Sequence, residues 1–292
     1  MGHIITYSFK PIENPKQNLH IISVSERMEK GKDLILVAHR TDFFIVQVIT
    51  SGRSSHMVDF NEITVEKGDV LFIVPGQIHA FRKGIDYDGW LVAFPKDFFY
   101  QSSHDHYFLD NANIFNNLHQ ITRLNLPGDE LDPILALILK ISDELKSRHD
   151  TFQRQILHNY LSNLLLFSER KFIQDHTDET KSILLTQEGK LVTEFKKQIN
   201  KYFRNQTTVK YYAGMLLVSE RTLQKATMAT LGKSPKELIN EQIILESKRL
   251  LVHELMTVKE IGYFLGFDEP SNFTKFFKKQ TGISPSQFKS KN

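Results

Sequence analysis

The chain has 292 residues, 40% of them hydrophobic and 24% charged, an ordinary globular balance with enough length for two packed domains. It has no cysteine, which excludes disulfide scaffolds, thiol chemistry and cysteine-ligated zinc. No apolar run approaches the roughly eighteen residues of a membrane span, and the opening MGHIITYSFKP lacks the basic start and apolar stretch of a secretory signal, so a cytoplasmic protein without membrane contact is expected. The net charge of +3 is unevenly divided: from Ser182 onward there are 18 Lys and Arg against 10 Asp and Glu, and before it 19 against 24. Positive potential is thus concentrated at the C-terminal end, where it attracts a polyanion.

In chain order, residues 31–100 hold short apolar or alternating runs, DLILVAH, FFIVQVI, ITVEKGDVLFIVPGQIH and DGWLVAFP, punctuated by Gly52, Gly68, Gly76 and Gly89. Such runs predict a small antiparallel barrel or sandwich, here assigned to residues 1–130. After Pro133 the periodicity becomes helical: Ile134, Leu135, Ile138, Ile141 and Leu145 form one stripe, and Ile156, Tyr160, Leu164 and Phe167 another. Two helices over 131–171 make a hairpin whose second stripe is the candidate homodimer contact, the alternative being burial against the barrel. The polar segment FIQDHTDETKSIL points to a linker over 172–186, followed by an all-helical domain over 187–292.

That last domain repeats. Leu223, Gly232, Ser234 and Pro235 match Phe273, Gly282, Ser284 and Pro285 at an offset of fifty, while Ala213, Leu216, Leu217 and Val218 match Gly262, Leu265, Gly266 and Phe267 at forty-nine. Each unit reads as a short helix, a turn and a second helix, near 208–230 and 258–280, with Ser219 capping the second helix of the first unit and Pro270 opening that of the second. This is the helix-turn-helix pattern, whose second helix enters a major groove. Leu217 stands where the second unit has Gly266; a left-handed leucine there costs roughly 1–2 kcal/mol, unless the turn takes another geometry. Pro235 to about Glu254 forms a connecting helix able to hold two readers near one DNA turn apart. The base-facing candidates are Arg221, Thr222, Gln224 and Lys225 in the first unit and Ser271, Asn272 and Lys275 in the second, with Lys278 and Lys279 holding phosphates.

The stretch Thr207–Phe288, with LVSERTL, LGKSPKELI, ESKRLL and VKEIGYFLGFDEPSNFTKFFKKQTGISPSQF, resembles the DNA-binding domain of the AraC/XylS family of bacterial transcription regulators. The resemblance implies a multidomain α+β chain: a cupin-like β-barrel that senses ligand, a helical hairpin, and the two helix-turn-helix motifs. It also implies double-stranded DNA and RNA polymerase as partners, with no cofactor. On that reading the barrel is an effector pocket, with Arg53, His79, Arg82, Tyr87 and Trp90 as candidates for anion recognition and aromatic walls. The rival is a metal-dependent cupin enzyme carrying a helical nucleic-acid or protein-interaction module, because GDVLFIVPGQIH is similar to a cupin motif and His39, His56 and His79 are able to converge. No nucleophile, P-loop or dinucleotide motif supports other chemistry.

Overall fold

Phe44–Val58 forms a fifteen-residue strand, β4, around which the N-terminal barrel is organised. The computed structural model describes residues 5–10, 18–82, 86–115, 122–175, 186–253 and 255–291, in two compact units. In the first unit (Ile5–Asp175), β4 belongs to both walls of the barrel. Its first half pairs with β6 (Asp69–Ile73) and β8 (Tyr87–Phe94), and its second half with β5 (Asn61–Glu66) and β7 (Ile78–Phe81). The switch falls at a bulge between Ile49 and Ser51, beside Gly52 at φ 75°. A Cβ on Gly52 would lie 2.0 Å from the Asp86 carbonyl oxygen, so the corner is reserved for glycine. The walls are completed by β1 (Thr6–Tyr7) and β3 (His39–Thr41) on one side, and β2 (His20–Ser23) and β9 (Thr122–Asn125) on the other. All pairings are antiparallel except β1 with β3.

Period-two alternation sorts the side chains of the second wall. Phe44, Val46, Val48, Val70, Phe72, Val92 and Phe94 join one core with the helices, while Ile49, Leu71 and Tyr87 form a separate cluster with Phe81 of β7 and Val24. The helices are α1 (Val24–Ile35), the short α2 (Lys96–Phe99) and α3 (Ser103–Asn111), then α4 (Asp132–Lys146) and α5 (Gln153–Asp175). α1 absorbs the start of DLILVAH, which alternation alone reads as strand; the Ser23 hydroxyl accepts the Glu26 amide at 3.0 Å and fixes its start.

α4 and α5 form the expected hairpin, but its second stripe divides. Leu164 is fully buried in the barrel–helix core with Leu157, Leu161 and Leu165, Tyr160 packs at its edge, and Phe167 is 37% exposed. At about 100° per residue, Leu164 sits some 80° around the helix from Ile156 and Phe167 only 20°, so Leu164 is turned toward the buried stripe and unavailable to a partner subunit. Residues 176–185, most of the expected linker, lie outside the described residues.

The second unit is helical: α6 (Gln187–Tyr202), α7 (Val209–Met215), α8 (Glu220–Leu231), α9 (Pro235–His253), α10 (Val258–Phe264), α11 (Pro270–Thr281) and α12 (Pro285–Lys291). Leu238, Ile239, Ile243, Leu250 and Leu251 of α9 share one core with Phe195, Leu223, Phe273 and Phe277, so the connecting helix is the spine on which both repeats pack.

Candidate nucleic-acid interface and barrel cavity

The two repeats are the same device built with different local chemistry. α7 and α8 are joined through Leu216, Leu217 and Val218. Leu217 adopts φ 56° and is 92% exposed, so the left-handed strain allowed for from sequence is present and no burial offsets it. Val218 donates its amide to Ala213 at 3.0 Å, and the Ser219 hydroxyl accepts the Thr222 amide at 3.0 Å. In the second unit Gly266 takes φ 82°, and Phe267 repeats the Val218 bond by donating to Gly262 at 3.0 Å. α10 starts in a full capping box between Thr257 and Glu260, whereas Thr208, before α7, makes no side-chain cap. Gly262 lets the helices meet closely: a Cβ there would stand 3.2 Å from Phe273 Cβ.

Gly266 has a second constraint that the sequence did not reveal. Its missing Cβ would lie 2.0 Å from the carbonyl oxygen of Arg204, just beyond α6. The Arg204 guanidinium lies 4.4 Å from the Phe264 ring centroid and pairs at 3.4 Å with Glu246 of α9, which also pairs with the buried Arg249 at 3.2 Å. The second turn is thereby locked to the spine.

All nine candidate DNA-facing residues, Arg221, Thr222, Gln224 and Lys225 on α8 and Ser271, Asn272, Lys275, Lys278 and Lys279 on α11, are exposed. The apolar residues between them, Leu223, Ala226, Phe273 and Phe277, are buried, so each helix shows its polar face outward because its other face is committed to the core. Thr222 is partly engaged, its hydroxyl 2.7 Å from that of Ser219. Among the described residues, Arg221, Lys225, Lys275, Lys278 and Lys279 form no salt bridge, leaving their charges available to phosphates or bases.

The barrel encloses a cavity of about 330 Å³. Ile22, Phe43, Ile45, Phe81, Leu91 and Ala93 give it an apolar wall, Tyr7, His39 and His79 line it with polar rings, and Lys10, Arg27 and Lys30 add cations; no Asp or Glu is among its described lining residues. Of the five sequence candidates only His79 lines this cavity. Arg53 and Arg82 are exposed and face Glu66 at 3.7 Å and Glu62 at 3.2 Å. Tyr87 is buried, its hydroxyl accepting from Gln47 Nε2 at 2.8 Å. Trp90 alternates to the helix-facing side. Arg27 and Lys10 escaped sequence reasoning because SERMEKGK reads as an ordinary solvated helix and the N-terminal segment has no periodicity.

The three histidines do converge, His39 and His79 with ring centroids 4.3 Å apart and His56 and His79 5.6 Å apart. His39 Nδ1 is bound to the Val37 carbonyl at 2.9 Å, and among the described residues no set of three or more His, Asp or Glu side chains is arranged to hold a metal ion. Burial holds the His56 imidazole down at about 3, with His39 adding a smaller push. Burial also depresses His79 strongly and His39 less, the latter opposed by its bond to Val37. All three are neutral near pH 7.

Comparison with known proteins accounts for both units. Residues 33–161 match the model of the AraC-like ligand binding domain, and residues 212–291 match that of a helix-turn-helix domain. The HTH-type transcriptional activator RhaS of Yersinia pestis is 24% identical over 256 residues, covering 86% of this chain and 88% of the relative, and that of Yersinia pseudotuberculosis matches equally. The chain belongs to the AraC family of transcription regulators. It is a DNA-binding regulator with a ligand-binding domain, and no helix among its described residues is long and apolar enough to cross a membrane. Among solved structures, ToxT from Vibrio cholerae is similar at 17% identity and a TM-score of 0.42, covering 85% of this chain and 90% of that one. The C-terminal domain of AraT, a response regulator from Geobacillus stearothermophilus, is similar at 26% identity and a TM-score of 0.35, covering 37% and 89%. The helices α8 to α12 lie within the part matched to the helix-turn-helix domain, and strands β3 to β9 within the part matched to the ligand binding domain.

Proposed function

We propose that this AraC-family regulator reads two successive major-groove segments with α8 and α11, and that a small molecule in the barrel cavity adjusts its hold on DNA. The observation that carries the first part is the pair of exposed faces bearing Arg221 and Lys225 on one helix and Lys275, Lys278 and Lys279 on the other, on helices whose other sides are locked in one core. α9, at nineteen residues, is about 28 Å long and suits readers spaced by one DNA turn. The second unit, whose turn has a glycine at its left-handed position, anchors through Lys275, Lys278 and Lys279, while Arg221, Thr222 and Lys225 of the first discriminate sequence. Lys278→Gln with Lys279→Gln is expected to weaken binding evenly across sequences and to lower the slope of log K against log salt by about 1.8. Arg221→Ala is expected to cost about 1–3 kcal/mol and to relax preference at one base position. Sites for these measurements come from genomic-fragment selection with the purified protein. Transcription from them with purified RNA polymerase reads the polymerase contact and its sign; an unchanged salt slope in the double variant would remove the anchoring role.

The regulator works in the cytoplasm as a homodimer, joined through the outer edge of the hairpin. Ile156, Tyr160 and Phe167 of α5 lie there, and Leu139 of α4 is 52% exposed. Exposed apolar edges of this kind are covered by a second copy. Phe167→Asp in the full chain is expected to convert a dimer to a monomer in sedimentation, and a wild-type chain that sediments as a monomer at all concentrations would end the dimer reading.

A further inference from the structure

Leu217 is a residue that the fold itself does not use. Leu216 and Val218, on either side of it in the first turn, pack against the core, while Leu217 is 92% exposed. A single exposed leucine is ordinary on a protein surface; one held at a left-handed φ of 56° is an outlier. The same turn closes without any side chain at this position. Leu217 donates its amide to Gly214 at 3.1 Å and Val218 donates to Ala213 at 3.0 Å, and Gly266 and Phe267 repeat both bonds, to Tyr263 and Gly262, at 3.0 Å. The leucine side chain thus adds strain to a turn that glycine makes freely, and burial within the chain does not offset it. Strain of this kind is retained where a residue meets a ligand.

The neighbours say which ligand. Leu217 stands two residues before Ser219, the cap of α8, which places their Cα atoms within about 7 Å of each other, and Arg221 and Thr222 are exposed on the first turn that follows. Leu217 is therefore continuous with the leading edge of the first reader. From Tyr211 to Ser219 the chain has no charged side chain, so this edge holds no cation for a phosphate, and its exposed leucine suits an apolar group. In a major groove the apolar group is the C5-methyl of thymine.

We propose that Leu217 is a fifth reader of the first unit, beside Arg221, Thr222, Gln224 and Lys225, and that it covers the methyl group of a thymine at the edge of the groove segment that α8 enters. The second unit has no counterpart, because a Cβ on Gly266 would strike the Arg204 carbonyl. The inference rests on the reading of α8 given above and adds a thymine preference to it.

Fluorescence anisotropy with the full chain, on a site from the genomic selection, compares wild type with Leu217→Ala, Leu217→Gly and Arg221→Ala. Each thymine of the site is replaced in turn by deoxyuridine, which lacks the methyl group. One replacement, next to the base pair where Arg221→Ala relaxes preference, is expected to weaken wild-type binding about fourfold, the worth of one methyl group taken out of water. Leu217→Ala, which keeps the Cβ and its strain, is expected to bind the unmodified site about fourfold or more weakly than wild type and to be indifferent to that replacement. Leu217→Gly should show the same loss on DNA while its C-terminal unit unfolds at higher urea than that of Leu217→Ala, which separates the contact from stability. The proposal is overturned if Leu217→Ala matches wild type on DNA, or if every deoxyuridine affects wild type and Leu217→Ala alike. It is also overturned if Leu217→Ala binds DNA as wild type does but loses transcription with purified RNA polymerase, which would assign the leucine to a protein contact. Should Arg221→Ala relax base preference while Leu217→Ala does not weaken binding, only the role of the leucine falls; should neither variant change binding, the reading of α8 falls with it.

Discussion

Gly266→Ala is expected to collapse the second DNA reader. Two independent costs meet at this residue. Its φ of 82° is left-handed, which alone costs an alanine about 1–2 kcal/mol. The added Cβ would also stand 2.0 Å from the Arg204 carbonyl oxygen, and that oxygen belongs to backbone that cannot swing aside. The turn or the end of α6 must move, disturbing the Arg204–Glu246 pair and the close packing of Gly262 on Phe273. A loss of about 3–5 kcal/mol from the C-terminal unit follows, the range of core overpacking combined with a broken buried network. Gly282→Ala is the matched control: its φ is 81°, but nothing lies within 4 Å of the new Cβ, so it should show the strain term alone. Urea unfolding of the full chain, followed through the transition of the C-terminal unit, together with DNA affinity, separates the two. Equal losses in both variants would show that the Arg204 contact contributes nothing.

The second large effect is in acid. His56, held at about 3, and His79, also strongly depressed, are neutral in the fold because burial disfavours their charged forms. In the unfolded chain they protonate near their ordinary value of about 6.5. Below that pH the unfolded state binds more protons than the folded one, so stability is fully present above about 6.5 and falls as the pH drops toward the folded values. For these two groups the barrel should lose about 2–3 kcal/mol between pH 7.5 and 5.5, with His39 adding to the trend. Denaturant melts of the barrel across that range measure it. His79→Phe should flatten the dependence by about half, and a barrel equally stable at both pH values would refute the account.

The DNA-binding unit was legible because its information is local and repeated. Caps, turn residues and apolar spacing recur at offsets of forty-nine and fifty, and even the left-handed Leu217 was one of two geometries its alignment with Gly266 allowed. The cavity was not legible, for a physical reason. Its lining alternates along strands, so Trp90 and Leu91 are chain neighbours on opposite faces, and which face closes over a cavity depends on β4 bending at Gly52 to serve two walls. Arg53 and Arg82 looked like anion binders in sequence because Glu66, the cross-strand partner of Arg53, and Glu62, which meets Arg82 across β4, become neighbours only through strand pairing. Arg27 showed the reverse: a residue of an ordinary charged helix acquires significance from what it faces. On α5, the helical stripe identified the outer edge at Ile156 and Phe167, but Leu164 lies at the angular boundary where a short rotation decides between core and surface.

The contrast between Leu217 and Gly266 also sets how freely each reader can drift. The leucine points into solvent and holds a conformation that suits it poorly, so most replacements there cost little, and glycine or asparagine would relieve it. The glycine is fixed by a carbonyl at its back. Variants that retune recognition can therefore accumulate around the first turn while the second is held nearly invariant, which gives one polypeptide a changeable reader beside a fixed one.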